Sequence, residues 1–127
     1  MRKLLALIAC AFTAIGSAFA GDISIKELEK AIKAESVFVI DVNGTESYKK
    51  GHIPTAIDFT ATDDLAKVLP ENKDALIVAY CGGPKCGAHA KATKAAKALG
   101  YTNVKHLSAG ISGWKAAEKQ VEMSKKS

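Results

Sequence analysis

The chain has 127 residues and a formal net charge of +5, with 18 Lys and Arg against 13 Asp and Glu. That length suits one domain with a single core. The scattered lysines, without a basic block or interleaved aromatics, argue against nucleic acid as a partner, and Arg2, the only arginine, leaves everything after it without the rigid fork that grips oxyanions.

Arg2 and Lys3 form a basic start, Leu4 to Ile15 is almost wholly apolar, and Ala18-Phe19-Ala20 is a small-x-small site. This pattern reads as a secretory signal peptide over residues 1–20, cut after Ala20, and too short for a stable membrane span. A rival reading is a lipoprotein box, Leu7-Ile8-Ala9-Cys10, with Cys10 lipidated. Cleavage after Ala20 leaves a domain over residues 21–127 with 16 basic and 13 acidic residues, periplasmic or secreted, with no membrane attachment. The lysines at 119, 125 and 126 read as a solvated end.

Ser24-Ile25-Lys26-Glu27 reads as a capping box. Ile25, Leu28 and Ile32 then recur at helical spacing to about Ala34. Val37-Phe38-Val39-Ile40 is a continuous apolar run, as in a strand buried on both faces of a parallel sheet. Asp41 stands at its carboxyl end, Asn43-Gly44 forms a turn, and Thr45 to Lys50 fits one short helix. Ala56-Ile57-Asp58-Phe59 reads as a second central strand. Thr62 is the expected cap of a helix with Leu65, Val68 and Leu69 inward, closed by Pro70.

Ala75 to Tyr80 is the strongest strand pattern. Tyr80-Cys81-Gly82-Gly83-Pro84-Lys85-Cys86-Gly87 follows, then a helix with Ala88, Ala92, Ala95, Ala96 and Leu99 on one face and Gly100 as its left-handed cap. Val104 to Leu107 is a last strand. A glycine-rich bend through Trp114 leads into a final helix to about Val121. Strands alternating with helices predict an α/β domain with a mainly parallel sheet of about five strands and helices on both faces. Ligands bind such sheets beyond the carboxyl ends of the strands, where Cys81 and Asp41 fall.

Two cysteines follow the leader, Cys81 and Cys86. A bridge between them closes a tiny loop and stabilises little through chain entropy, so the pair points to chemistry. Cys81, between a strand end and a helix start, is placed as a nucleophile among outward-pointing amides. Gly82 and Gly83 let amides turn toward the sulfur, Pro84 stiffens the turn, Lys85 adds charge and Gly87 eases entry to the helix. Such a cradle stabilises a thiolate or an anionic persulfide.

Three motifs together resemble a single-domain rhodanese (sulfurtransferase) over roughly Ile23 to Ala117. Val39-Ile40-Asp41-Val42, with Glu46, Tyr48, Gly51-His52-Ile53-Pro54 and Ala56, resembles the amino-terminal signature. Tyr80-Cys81 and its loop resemble the active site, and Gly110-Ile111-Ser112-Gly113-Trp114 the carboxyl-terminal signature. The resemblance implies a three-layer rhodanese-like fold and a persulfide carrier. Cys81 takes sulfane sulfur from a donor such as thiosulfate or a persulfide, then passes it to cyanide, a thiol or a protein acceptor, by covalent two-step catalysis without metal or cofactor. The six-residue loop Cys81 to Cys86 matches sulfurtransferases. Related cell-cycle phosphatases have a loop one residue longer, with an arginine in it.

The chain departs from the family pattern at Asn43, near a position where many members have arginine, at Thr55, where glycine is usual, and at Cys86, where arginine is frequent. Cys86 has three readings: a spectator thiol, a resolving thiol that attacks the Cys81 persulfide or oxidised Cys81, or half of a stable disulfide masking the site. Two other functions stay open: a thiol–disulfide redox protein or sensor using both cysteines, and a non-catalytic module that binds sulfane sulfur. His52 reads as structural and His106 as a surface residue. His89 is set aside as a ligand, because one short segment supplies too few donors for a closed metal site. Asp41 is expected to orient loop amides or tie the sheet edge, Glu46 to shape the pocket, and Trp114 to anchor the last helix.

Overall fold

The computed structural model describes residues 21–124. The leader, Cys10 and the final lysines lie outside the described residues. Five strands form one parallel sheet: β1 (Gly21–Asp22), β2 (Val37–Asp41), β3 (Ile57–Asp58), β4 (Leu76–Tyr80) and β5 (Asn103–Leu107), in the order β1-β5-β4-β2-β3. The helices are α1 (Ile25–Lys33), α2 (Thr45–Lys50), α3 (Leu65–Val68), α4 (His89–Ala98) and α5 (Gly110–Ala116).

Successive side chains of the central strand alternate between two cores, the direct consequence of the pleat. Val78 and Tyr80 pack with Leu28 of α1 and Trp114 of α5 on one face. Ile77 and Ala79 pack with Ala92 and Ala96 of α4 and with Leu69 on the other. The outcome is the three-layer α/β architecture that the alternating pattern predicts. Small residues on α4 let it lie close to the sheet, with Thr93 buried beside the alanines.

Local signals hold where chemistry is local. Ser24 caps α1 with the full reciprocal box, α2 spans the expected six residues, and Gly100 has a φ of +101°. Four details differ. β3 is an edge strand paired with β2 alone, because a two-residue strand of one apolar and one charged residue carries no record of its neighbours. Phe38 is 36% exposed, so one face of β2 is open at its start. The cap of α3 is Asp64, while the Thr62 hydroxyl donates to the Asp58 carbonyl at 2.7 Å; of the three expected inward residues, Leu69 is buried and Val68 is exposed.

The fourth difference is the end of α5, which stops at Ala116 instead of continuing to Val121. Glu118 turns left-handed at φ +59°. Trp114 Nε1 donates to the Gln120 carbonyl at 2.7 Å. His52 and Glu122 then exchange backbone hydrogen bonds at 2.9 and 2.8 Å. These tertiary contacts outweigh the helical propensity of the segment.

Candidate active site

Cys81 is the first residue after β4 and is 2% exposed. The residue before it fixes the strand end. Tyr80 pairs in register with Asp41 of β2, and its hydroxyl donates to Asp41 Oδ2 at 2.6 Å while accepting from the Ile53 amide at 3.0 Å. Asp41 Oδ1 accepts from the Asn43 amide at 2.7 Å. Burial pushes the Asp41 carboxyl up, against the lowering effect of the Tyr80 hydrogen bond; burial and the Asp41 charge push the Tyr80 hydroxyl up. Asp41 thus ties the sheet edge and holds the turn after β2.

The Cys81 loop rests on α5. Ile111 and Ser112 donate their amides to the Cys81 and Gly82 carbonyls, both at 2.9 Å. Gly110 makes this possible: its φ is +64°, and a Cβ there would lie 2.6 Å from Gly82 C and Gly83 N. Gly83 is similarly close-packed, with the Ser112 Oγ 2.9 Å from where a Cβ would stand. The carboxyl-terminal signature is therefore a platform for the loop, and Trp114, fully buried, anchors it. Ser112 emerges as a wall of the site.

Cys81 and Cys86 are joined by a disulfide with Cα atoms 6.3 Å apart. The Cys86 amide donates to the Gly83 carbonyl at 3.1 Å. Gly82, Gly83, Pro84, Lys85, Cys86 and Ser112 line an open depression of about 540 Å³. Beside it, Asn43, Lys50, Gly82 and Lys115 border a second hollow of about 270 Å³, so cations flank the loop on both sides. Gly87 lies at the exposed far end, before α4. Glu46 is exposed on α2 and lines neither hollow, so its expected part in the pocket is withdrawn.

The three histidines occupy different settings. His52 is structural: Nδ1 bonds the Tyr48 carbonyl at 2.7 Å, and its ring stacks on Tyr48 with centroids 3.7 Å apart. His89 opens α4, with Nδ1 3.8 Å from Cys81 Sγ. His106 is not a surface residue. It is largely covered, stacked on His89 at a centroid distance of 4.4 Å. Sequence reasoning missed this pair because it depends on sheet register: His106 lies opposite Ala79, and the same face of the sheet receives α4.

The Rhodanese-like domain family matches residues 24–117. The chain belongs to this family. The rhodanese-like domain is 34% identical over 91 residues to the HTH-type transcriptional regulator Rv0324 of Mycobacterium tuberculosis, covering 72% of the chain and 40% of the regulator's length. Its fold is similar to the BH2092 protein of Bacillus halodurans, with a TM-score of 0.71 and 36% identity, over 82% of this chain and 77% of that one. It is also similar in fold to a thiosulfate sulfurtransferase of Pseudomonas aeruginosa, with a TM-score of 0.70 and 20% identity, over 84% of this chain and 21% of that one.

Proposed function

We propose that this rhodanese-like domain is an exported sulfurtransferase that carries sulfane sulfur as a persulfide on Cys81. The observation that carries the reading is the seat of Cys81: a sulfur at the carboxyl edge of the central strand, held by a glycine loop that lines an open depression. The basic start, apolar stretch and small-x-small site of residues 1–20 support export.

The chemistry starts from the dithiol. A dithiol reductant opens the Cys81–Cys86 bond by exchange and leaves as its own disulfide. The Cys81 thiolate then attacks the outer sulfur of thiosulfate; the S–S bond of the donor breaks, and sulfite leaves with the bonding pair. A nucleophilic acceptor, a thiolate or cyanide, attacks the outer sulfur of the persulfide and regenerates the Cys81 thiolate. Charge on an anionic donor is met by Lys85 and loop amides, with Lys50 and Lys115 bordering the adjacent hollow. These are point charges in place of the bidentate arginine fork.

A second reading, a thiol–disulfide redox protein, is favoured by one observation, the Cys81–Cys86 bond itself. Intact-mass measurement of the reduced protein before and after thiosulfate separates the two. Sulfurtransfer requires the gain of one sulfur atom on the wild type and Cys86→Ala, and none on Cys81→Ser. Thiosulfate:cyanide transfer retained by Cys81→Ser would sink the proposal. Reversible oxidation without any sulfur adduct would favour the redox reading.

A further inference from the structure

One cluster of titratable side chains touches the site without a part in the sulfur transfer just described. Asp22 of β1, His106 of β5 and His89 of α4 form a row that ends at Cys81. His89 Nδ1 is 3.8 Å from Cys81 Sγ. Its ring lies on that of His106, with centroids 4.4 Å apart and planes 11° from parallel. His106 Nε2 is 4.0 Å from Asp22 Oδ1. Asp22 is itself fixed by Ser108, whose amide and hydroxyl donate to its two oxygens at 2.9 and 3.0 Å. His106 Nδ1 is buried without a hydrogen-bond partner.

The arrangement constrains charge. Two stacked imidazoles in contact repel if both are protonated. Burial, with the neighbouring His106, pushes His89 below the ordinary histidine range, and the Cys86 carbonyl and Asp22 pull the other way. β4 turns the uncharged Ile77 and Ala79 toward α4. The groups that act on His89 are His106 on β5, the Cys86 carbonyl in the loop and Asp22 on β1, with Cys81 Sγ beside its ring. Once the disulfide is reduced, the ring nitrogen that faces Cys81 Sγ at 3.8 Å is placed to accept the thiol proton.

We propose that His89 is the proton acceptor for Cys81, and that His106, stacked on its ring and facing Asp22, is the positioning residue that holds it there. The inference rests on the reading that Cys81 is the reacting thiol. In the dithiol state the S–H proton of Cys81 moves to the His89 ring, leaving a thiolate beside an imidazolium, with no net change in charge. The pair keeps Cys81 ionised below the ordinary thiol range. When the acceptor removes the outer sulfur, the same pair receives the thiolate leaving group.

The test is alkylation of the reduced full-length protein by iodoacetamide across pH, read peptide by peptide. Trypsin cuts after Lys85, so Cys81 and Cys86 fall in separate peptides. At about pH 6, His89→Gln should slow Cys81 alkylation about tenfold, the effect of one unit of thiol pKa, and leave Cys86 unchanged. His106→Phe keeps a flat ring under His89 but removes the nitrogen that faces Asp22, and should give a smaller shift in the same direction. An unchanged Cys81 profile in both variants, each folded by circular dichroism, overturns the proposal. Alkylation needs no sulfur donor, so the two ideas fail separately. A shifted profile without a persulfide on Cys81 supports the His89 pairing and refutes sulfur carriage; a persulfide with an unshifted profile does the reverse.

Discussion

The Tyr80 hydroxyl donates to Asp41 Oδ2 at 2.6 Å across the two central strands, one residue before Cys81. The same oxygen accepts from the Ile53 amide at 3.0 Å. One phenol therefore joins β4, β2 and the Gly-His-Ile-Pro turn. Tyr80→Phe removes a charge-assisted hydrogen bond and leaves a buried amide unpaired. It should lower unfolding free energy by about 2–4 kcal/mol, measured by denaturant titration. A loss within error of zero would show that the tie is dispensable.

Asp41 makes the stability of the domain depend on pH in a definite direction. Its folded value is raised above the ordinary 3.8. The folded chain then holds the proton more tightly than the unfolded chain. The contribution to stability is fully present below the unfolded value and is lost as pH rises through the folded one. The stability of wild type relative to Asp41→Asn should fall as pH is raised from about 3 to 7. Parallel denaturation of the two proteins checks the sign, since the other groups are common to both.

Gly110 is the contact between the Cys81 loop and its platform. A methyl group there meets Gly82 C and Gly83 N at 2.6 Å and the Cys81 carbonyl at 2.7 Å, on a backbone with φ +64°. Backbone cannot yield as a flexible side chain can. Gly110→Ala should cost about 3 kcal/mol or more and displace the loop. Thermal melting reads the first effect, and a drop in sulfur loading on Cys81 of the still-folded protein reads the second.

Thr55 sits left-handed at φ +73°, at the position where the family pattern favours glycine. A β-branched residue pays for that conformation in strain. The side chain is exposed, so little contact is lost by removing it. Thr55→Gly should stabilise by about 0.5–1 kcal/mol after the entropy of glycine is subtracted. A decrease in melting temperature would contradict this.

Cys86 gates the site in the proposed cycle. With the Cys81–Cys86 bond closed, Cys81 has no thiolate to offer. Oxidised wild type should be inactive in thiosulfate:cyanide transfer until a dithiol is added. Cys86→Ala should be active without reductant. Steady-state assays with and without dithiothreitol compare them directly; a reductant requirement that persists in Cys86→Ala would remove Cys86 from this role.

Much of the domain follows from local sequence. The Ser24 box, the Gly100 cap and the apolar run of β4 are each decided by residues within a few positions of one another. Cys81 was legible for the same reason, since its strand, loop and helix are consecutive. Distance along the chain is what hid the rest. Which strand is central, where the last helix stops, and that Glu46 faces solvent all depend on partners tens of residues away. The cysteine loop was visible as a strand-to-helix turn, but its support by Gly110 and Ser112 and its histidine neighbours required the sheet to set register. His106 meets His89 only because β5 lies beside β4 with His106 opposite Ala79. The sequence by itself determined most of the elements and placed Cys81 between a strand end and a helix start, because capping, periodicity and turn chemistry are short-range. Tertiary structure alone decided what stands against the sulfur, because parallel pairing joins segments that the chain keeps far apart.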